Sequence, residues 1–95
     1  SGLRFTFDAS KLPGQRIVEA MVGGKPIDPG SNYTVATSDF LVSRGGDGYT
    51  MFKDAKLLIA ADKAPKDSEV FEKAIKESPN ATISPRVEGR IRRLN

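Results

Sequence analysis

The sequence contains neither cysteine nor histidine. The first absence removes a disulfide framework and all thiol chemistry, in any compartment. The second weighs more, because imidazole is a preferred zinc ligand and the commonest acid–base catalyst near neutral pH. Histidine-based hydrolysis is excluded for these 95 residues taken alone, and the chain by itself is expected to be non-catalytic. Long apolar runs are missing too. The longest, Leu57 to Ala61, falls far short of the roughly 20 residues that cross a bilayer. No methionine, basic n-region or apolar h-region precedes the opening Ser-Gly-Leu-Arg, so the sequence reads as a segment excised from something longer.

What is present is ordinary for a globular domain: 38% hydrophobic and 28% charged residues. A chain of 95 residues makes one domain at most and buries only about 60–65% of its unfolded surface, so its stability is expected to be modest. Fifteen basic against twelve acidic residues leave a net charge of +3. Much of that excess lies near the end, where Arg86, Arg90, Arg92 and Arg93 face Glu88 alone. Such a tail can meet phosphates or nucleic acid, but the reading preferred here is a solvated strand end with one charged face. Asp54, Asp62 and Asp67 are scattered among lysines and form no metal cage.

Periodicity predicts the elements. Leu3, Phe5 and Phe7 alternate with Arg4, Thr6 and Asp8, the period of a half-covered strand. Pro13-Gly14 marks a turn, and a second strand runs from Arg16 to Val22. Gly23-Gly24 provides a tight hairpin from which Lys25 to Ile27 returns. Asp28-Pro29-Gly30-Ser31 is another turn cluster. Tyr33 to Thr37, rich in β-branched and aromatic residues, is expected as a third main strand, and Lys56 to Ala60 as a further short one. Asp67 or Ser68 caps a helix with Glu69 in its first turn, and Val70, Phe71, Ala74 and Ile75 share one face of it. Ser78-Pro79-Asn80 stops that helix, and Val87 to Ile91 is the predicted closing strand. Strands and helix do not alternate regularly, so the fold class is α+β: a mixed, largely antiparallel sheet with one main helix.

The sharpest local feature is Gly45-Gly46-Asp47-Gly48, just after Phe40. Glycines let a backbone approach a ligand closely, and one carboxylate accepts two hydrogen bonds from vicinal hydroxyls such as those of a ribose. The same pattern also describes a turn in which Asp47 bonds its own backbone. The spacing matches neither the P-loop nor the dinucleotide fingerprint. Phe40 likewise has two readings, a base-stacking platform or a packing residue at an element end. Tyr49 and Phe52 read as packing residues.

The order of the pieces carries a resemblance. Ser-Gly-Leu-Arg-Phe-Thr-Phe-Asp at 1–8, Gly-Gly-Lys-Pro-Ile-Asp-Pro at 23–29, Tyr-Thr-Val-Ala-Thr-Ser-Asp-Phe at 33–40, Gly-Gly-Asp-Gly-Tyr at 45–49 and Val-Glu-Gly-Arg-Ile at 87–91 resemble, in that order, the C-terminal domain of the 5′-nucleotidase family. The resemblance implies that residues 1–95 are part of a substrate-binding domain, the catalytic metallophosphoesterase domain lying outside them. It implies an activity of the parent, phosphate release from nucleotides. The cofactors, two divalent metal ions, would belong to that N-terminal domain and none to this chain. Phe40 would stack on the base, Asp47 would bond the ribose hydroxyls, and Gly45, Gly46 and Gly48 would shape the loop between them. The spacer Val42-Ser43-Arg44 is one residue longer than the family's usual one, and the family's second stacking aromatic and substrate-binding arginines lie upstream of the present chain. The implied partners are a nucleotide or nucleoside and the N-terminal catalytic domain. Apolar surface left uncovered by the missing upstream half would favour self-association. The implied location is extracellular, periplasmic or at the cell surface.

Overall fold

Leu3, Phe5 and Phe7 do alternate with polar neighbours along a strand, β1 (Leu3–Phe7), which anchors a four-stranded sheet. The computed structural model describes residues 2–43 and 45–95. Ser1 and Arg44, the latter the last residue of the long spacer, lie outside the described residues. The chain divides into two units, one holding the residues up to Asn32 together with Pro85–Asn95, the other Tyr33–Ser84.

In the first unit, β2 (Ile17–Val22) pairs antiparallel with β1, and β3 (Lys25–Pro26) returns antiparallel on the far side of β2. The hairpin between them uses Gly23 (φ 60) and Gly24 (φ 80), two successive positive angles that suit a primed turn and its twist. On the other edge β4 (Ile91–Arg93) runs parallel to β1, so the order is β3-β2-β1-β4 and the sheet is mixed. Phe5 N–H donates to Arg90 C=O at 2.9 Å and Leu94 N–H to Phe7 C=O at 2.9 Å, tying the last strand in. Opposite Phe7 stands Ile17 and opposite Thr6 stands Glu19, which leaves Val18 as the extra residue of a bulge. Carboxylates close the exposed turns. Asp8 accepts from the N–H and hydroxyl of Ser10 at 2.9 and 2.6 Å. Asp28 accepts from Gly30 N–H at 2.9 Å and Ser31 hydroxyl at 2.8 Å.

The register sorts the sheet into two faces. Leu3, Phe5, Phe7, Ala20, Val22 and Ile91 share one, mainly apolar, with Arg93 at its end beside Phe7, and Arg4, Thr6, Glu19, Met21 and Arg92 share the other. The Phe5 and Phe7 rings lie 6.3 Å apart at 47°, within the range of favourable tilted pairs. Yet the apolar face is thinly covered: Leu3 is 45% and Ile91 62% exposed, and no described residue is fully buried. Burying a large apolar side chain contributes about 1.5–3 kcal/mol when complete, so the sheet realises only part of that gain.

In the second unit, α1 (Asp39–Ser43) leads into a single tight turn at Gly46–Gly48, and the main helix α2 spans Asp67–Glu77. Val70, Phe71, Ala74 and Ile75 form its apolar stripe, of which Ile75 is half-buried while Phe71 is exposed. Its opposite side carries the pairs Glu72–Lys76 (2.7 Å) and Lys73–Glu77 (3.8 Å), exposed i,i+4 contacts of a few tenths of a kcal/mol each. The helix begins earlier than expected: Lys66, not Asp67 or Ser68, is the cap, and its N–H donates to the Glu69 carboxylate at 3.3 Å. It stops at Ser78, whose N–H bonds back to Ile75 C=O and whose hydroxyl bonds Ala74 C=O.

Three predicted strands need correcting. Tyr33–Thr37 and Lys56–Ala60 are not strands and join no sheet among the described residues; β-propensity measures fit to a sheet surface, and no described strand lies alongside to supply one. The closing strand is Ile91–Arg93, not Val87–Ile91, because Gly89 takes a left-handed angle (φ 72) that keeps the preceding residues out of the ladder. The α+β class stands, with one main helix and a mixed sheet.

Candidate functional site

All five sequence-singled residues fall within one stretch of the second unit. Phe40 sits on α1, where Val42 N–H donates to Ser38 C=O at 3.4 Å. Gly45, Gly46, Asp47 and Gly48 form the turn that follows, closed by Gly48 N–H to Gly45 C=O (3.2 Å) and Tyr49 N–H to Gly46 C=O (3.1 Å). Local chemistry accounts for this shape. Gly45 (φ 58) and Gly48 (φ 77) are left-handed, a conformation that costs a residue with a Cβ roughly 1–2 kcal/mol. Asp47 is left-handed as well (φ 55, ψ 25), and aspartate is among the few side-chain-bearing residues that adopt it readily.

The structure brings Phe40 and the glycine turn together. The Phe40 ring lies against Gly46, and is still 48% exposed. Asp47 is exposed, and no hydrogen bond ties its carboxylate to a described residue. Among the described residues it is backbone amides that close the loop. What results is a half-exposed aromatic ring beside Gly46 and, at the next residue, an exposed carboxylate. Such a set can stack a planar ring and accept hydrogen bonds.

Of the neighbouring aromatics, Phe52 is half-buried, as a packing residue should be, whereas Tyr49 is 44% exposed. The sequence reading missed the distinct place of Gly46, since three glycines in one motif look alike until the ring is placed. Among the described residues no group of three or more histidine, cysteine, aspartate or glutamate side chains is placed to hold a metal ion. No described helix is long and apolar enough to cross a membrane.

Comparison with known proteins agrees with the pattern of motifs. No solved structure matches the chain. A trifunctional nucleotide phosphoesterase of Bacillus subtilis is 36% identical over 99 residues, covering 99% of this chain and 6% of its own length. A 5′-nucleotidase of Bos taurus is 36% identical over 98 residues, covering 95% of this chain and 16% of its own. A cell wall protein of Listeria monocytogenes is 37% identical over 95 residues, covering 95% of this chain and 12% of its own. The chain thus spans only a small part of the relatives it matches. The model of the 5′-nucleotidase C-terminal domain matches residues 1–54, a stretch that includes the first three strands, α1 and the whole Phe40–Gly48 loop, and the chain belongs to that family.

Proposed function

We propose that the chain is the nucleoside-recognising portion of a metal-dependent 5′-nucleotidase-like enzyme that releases phosphate from nucleotides. The observation that carries this reading is the juxtaposition of an exposed Phe40 ring with the glycine turn that presents Asp47. In it Phe40 stacks on the base and the Asp47 carboxylate accepts hydrogen bonds from the two ribose hydroxyls. Gly45, Gly46 and Gly48 keep the intervening backbone low enough for both contacts. Residues 1–95 form part of the substrate-binding domain. The described residues do not suit a metal centre, so no metal-assisted step is placed on them; two divalent ions would be held by a separate N-terminal domain, the partner that completes the enzyme. The parent is exported, to a periplasm, cell wall or cell surface, in line with the similarity to a cell wall protein.

Amide NMR titrations with adenosine and with inorganic phosphate test the site. Shifts confined to the Phe40–Tyr49 stretch are expected with adenosine alone. Phe40→Ala is expected to weaken adenosine binding by about 1–3 kcal/mol, the usual contribution of a stacked base. Unchanged affinity in both Phe40→Ala and Asp47→Ala would remove the assignment.

A second reading, a self-associating interaction module, rests on a different observation: the apolar sheet face carrying Leu3 and Ile91 is exposed. Sedimentation over a range of concentrations decides it, and a monomer at every concentration would rule it out.

A further inference from the structure

We infer that Gly46 is a positioning residue for Phe40, holding the ring flat against the turn so that only one of its faces is offered to a ligand. The consequence for binding rests on the proposed reading of the loop as a nucleoside site; the placement of the ring does not.

The three glycines of the loop are glycines for different reasons. Gly45 and Gly48 have positive φ and nothing closer than ordinary contact beside them. Gly46 is not among the positive-φ residues, so its backbone alone would accept alanine. Its constraint is steric. A Cβ built on Gly46 falls within 3.0 Å of three consecutive carbons of the Phe40 ring, Cδ1, Cε1 and Cζ. Three neighbouring ring atoms at nearly equal range place that missing group over the ring face, beside Cε1, and not at its rim. The face toward Gly46 is therefore closed by backbone, while Phe40 as a whole remains 48% exposed. On this inference the open side is the other face.

Each partner is fixed independently. Phe40 is carried by α1, and Gly46 by the turn whose two backbone hydrogen bonds, at 3.2 and 3.1 Å, close around it. The atoms in the way of a Gly46 side chain are the far end of a side chain with two rotatable bonds. Alanine at 46 thus need not disrupt the loop. It displaces the ring, which leaves the position from which it stacks.

The experiment has a ligand-free arm and a ligand arm. In the free protein the Gly46 α-protons, lying over an aromatic face, should resonate upfield through the ring current and return to ordinary values in Phe40→Leu. In the ligand arm, adenosine titrations compare wild type, Gly46→Ala, Phe40→Leu and the double variant. Gly46→Ala should weaken adenosine binding about tenfold, within the range of a stacked base, and have no further effect once Phe40 is leucine. Gly46 α-protons at ordinary shifts, unmoved by Phe40→Leu, would overturn the inference. So would a Gly46→Ala loss of equal size with and without Phe40. Upfield α-protons together with an adenosine affinity that Phe40→Leu leaves unchanged would sustain the positioning role and sink the nucleoside reading, so the two fail separately. The ligand-free arm needs no substitution at Gly46 and stands even if Gly46→Ala does not fold.

Discussion

Asp47 offers a test in which binding and stability should rank the same substitutions in different orders. Its backbone is left-handed (φ 55, ψ 25) and its side chain is exposed. Replacing it therefore changes two things only, the backbone preference and the carboxylate. Asparagine keeps the shape and the tolerance for positive φ but loses the charge. Hydrogen bonds to an ionised partner contribute about 1.5–3 kcal/mol against about 0.5–1.5 for neutral pairs, so two ribose bonds should lose about 2 kcal/mol, near 30-fold in affinity. Alanine and glycine lose both bonds outright, about 3 kcal/mol or more, at least 100-fold. On stability the order differs. Alanine carries roughly 1–2 kcal/mol of left-handed strain, whereas glycine escapes it at about 0.5–1 kcal/mol of extra unfolded-chain entropy. Adenosine affinity should therefore fall as Asp > Asn > Ala ≈ Gly, while urea midpoints should place alanine lowest. Calorimetric titration and urea unfolding followed by circular dichroism measure the two. Glycine less stable than alanine would refute the backbone argument. Full affinity in all three variants would refute the role of the carboxylate.

Gly23 in the β2–β3 hairpin has φ 60 and no atom within 4 Å of an added Cβ, so only backbone preference is at stake. Gly23→Asn should hold or raise the thermal midpoint, and Gly23→Ala should cost about 1 kcal/mol; the reverse order would contradict the hairpin geometry. Asp8 is held below the usual carboxylate range chiefly by the Ser10 hydroxyl, and Asp28 by the Gly30 N–H. Because these folded-state values are depressed, their stabilisation is present above the unfolded carboxylate range and is lost as pH falls through the folded one, below about pH 4. The double variant Asp8→Asn/Asp28→Asn should flatten the loss of urea resistance on acidification, and an unchanged slope would discount both turns. Ala81 is left-handed (φ 48), so Ala81→Gly should raise the urea midpoint slightly, as relieved strain of about 1–2 kcal/mol outweighs the added chain entropy. A lowered midpoint would contradict it.

Several features were decided by residues close together in the chain and could be read there. Alternation made β1, paired glycines made the hairpin, and an apolar stripe with a proline-bearing stop delimited α2, because each depends on sterics and periodicity within a few residues. The sequence also carried the family, through motifs in a fixed order that no single motif would establish. Tertiary structure decided the rest. Tyr33–Thr37 has the composition of a strand yet forms none, since a strand exists only where another lies beside it. The last strand starts at Ile91 because the chain turns at Gly89, and it joins β1 in parallel, a pairing that no local pattern announces. Gly46 looked like its neighbours until the ring of Phe40, six residues earlier, was found where its side chain would be. Contact between an aromatic face and a bare Cα depends on the path of the chain between them, and that path is set by the fold.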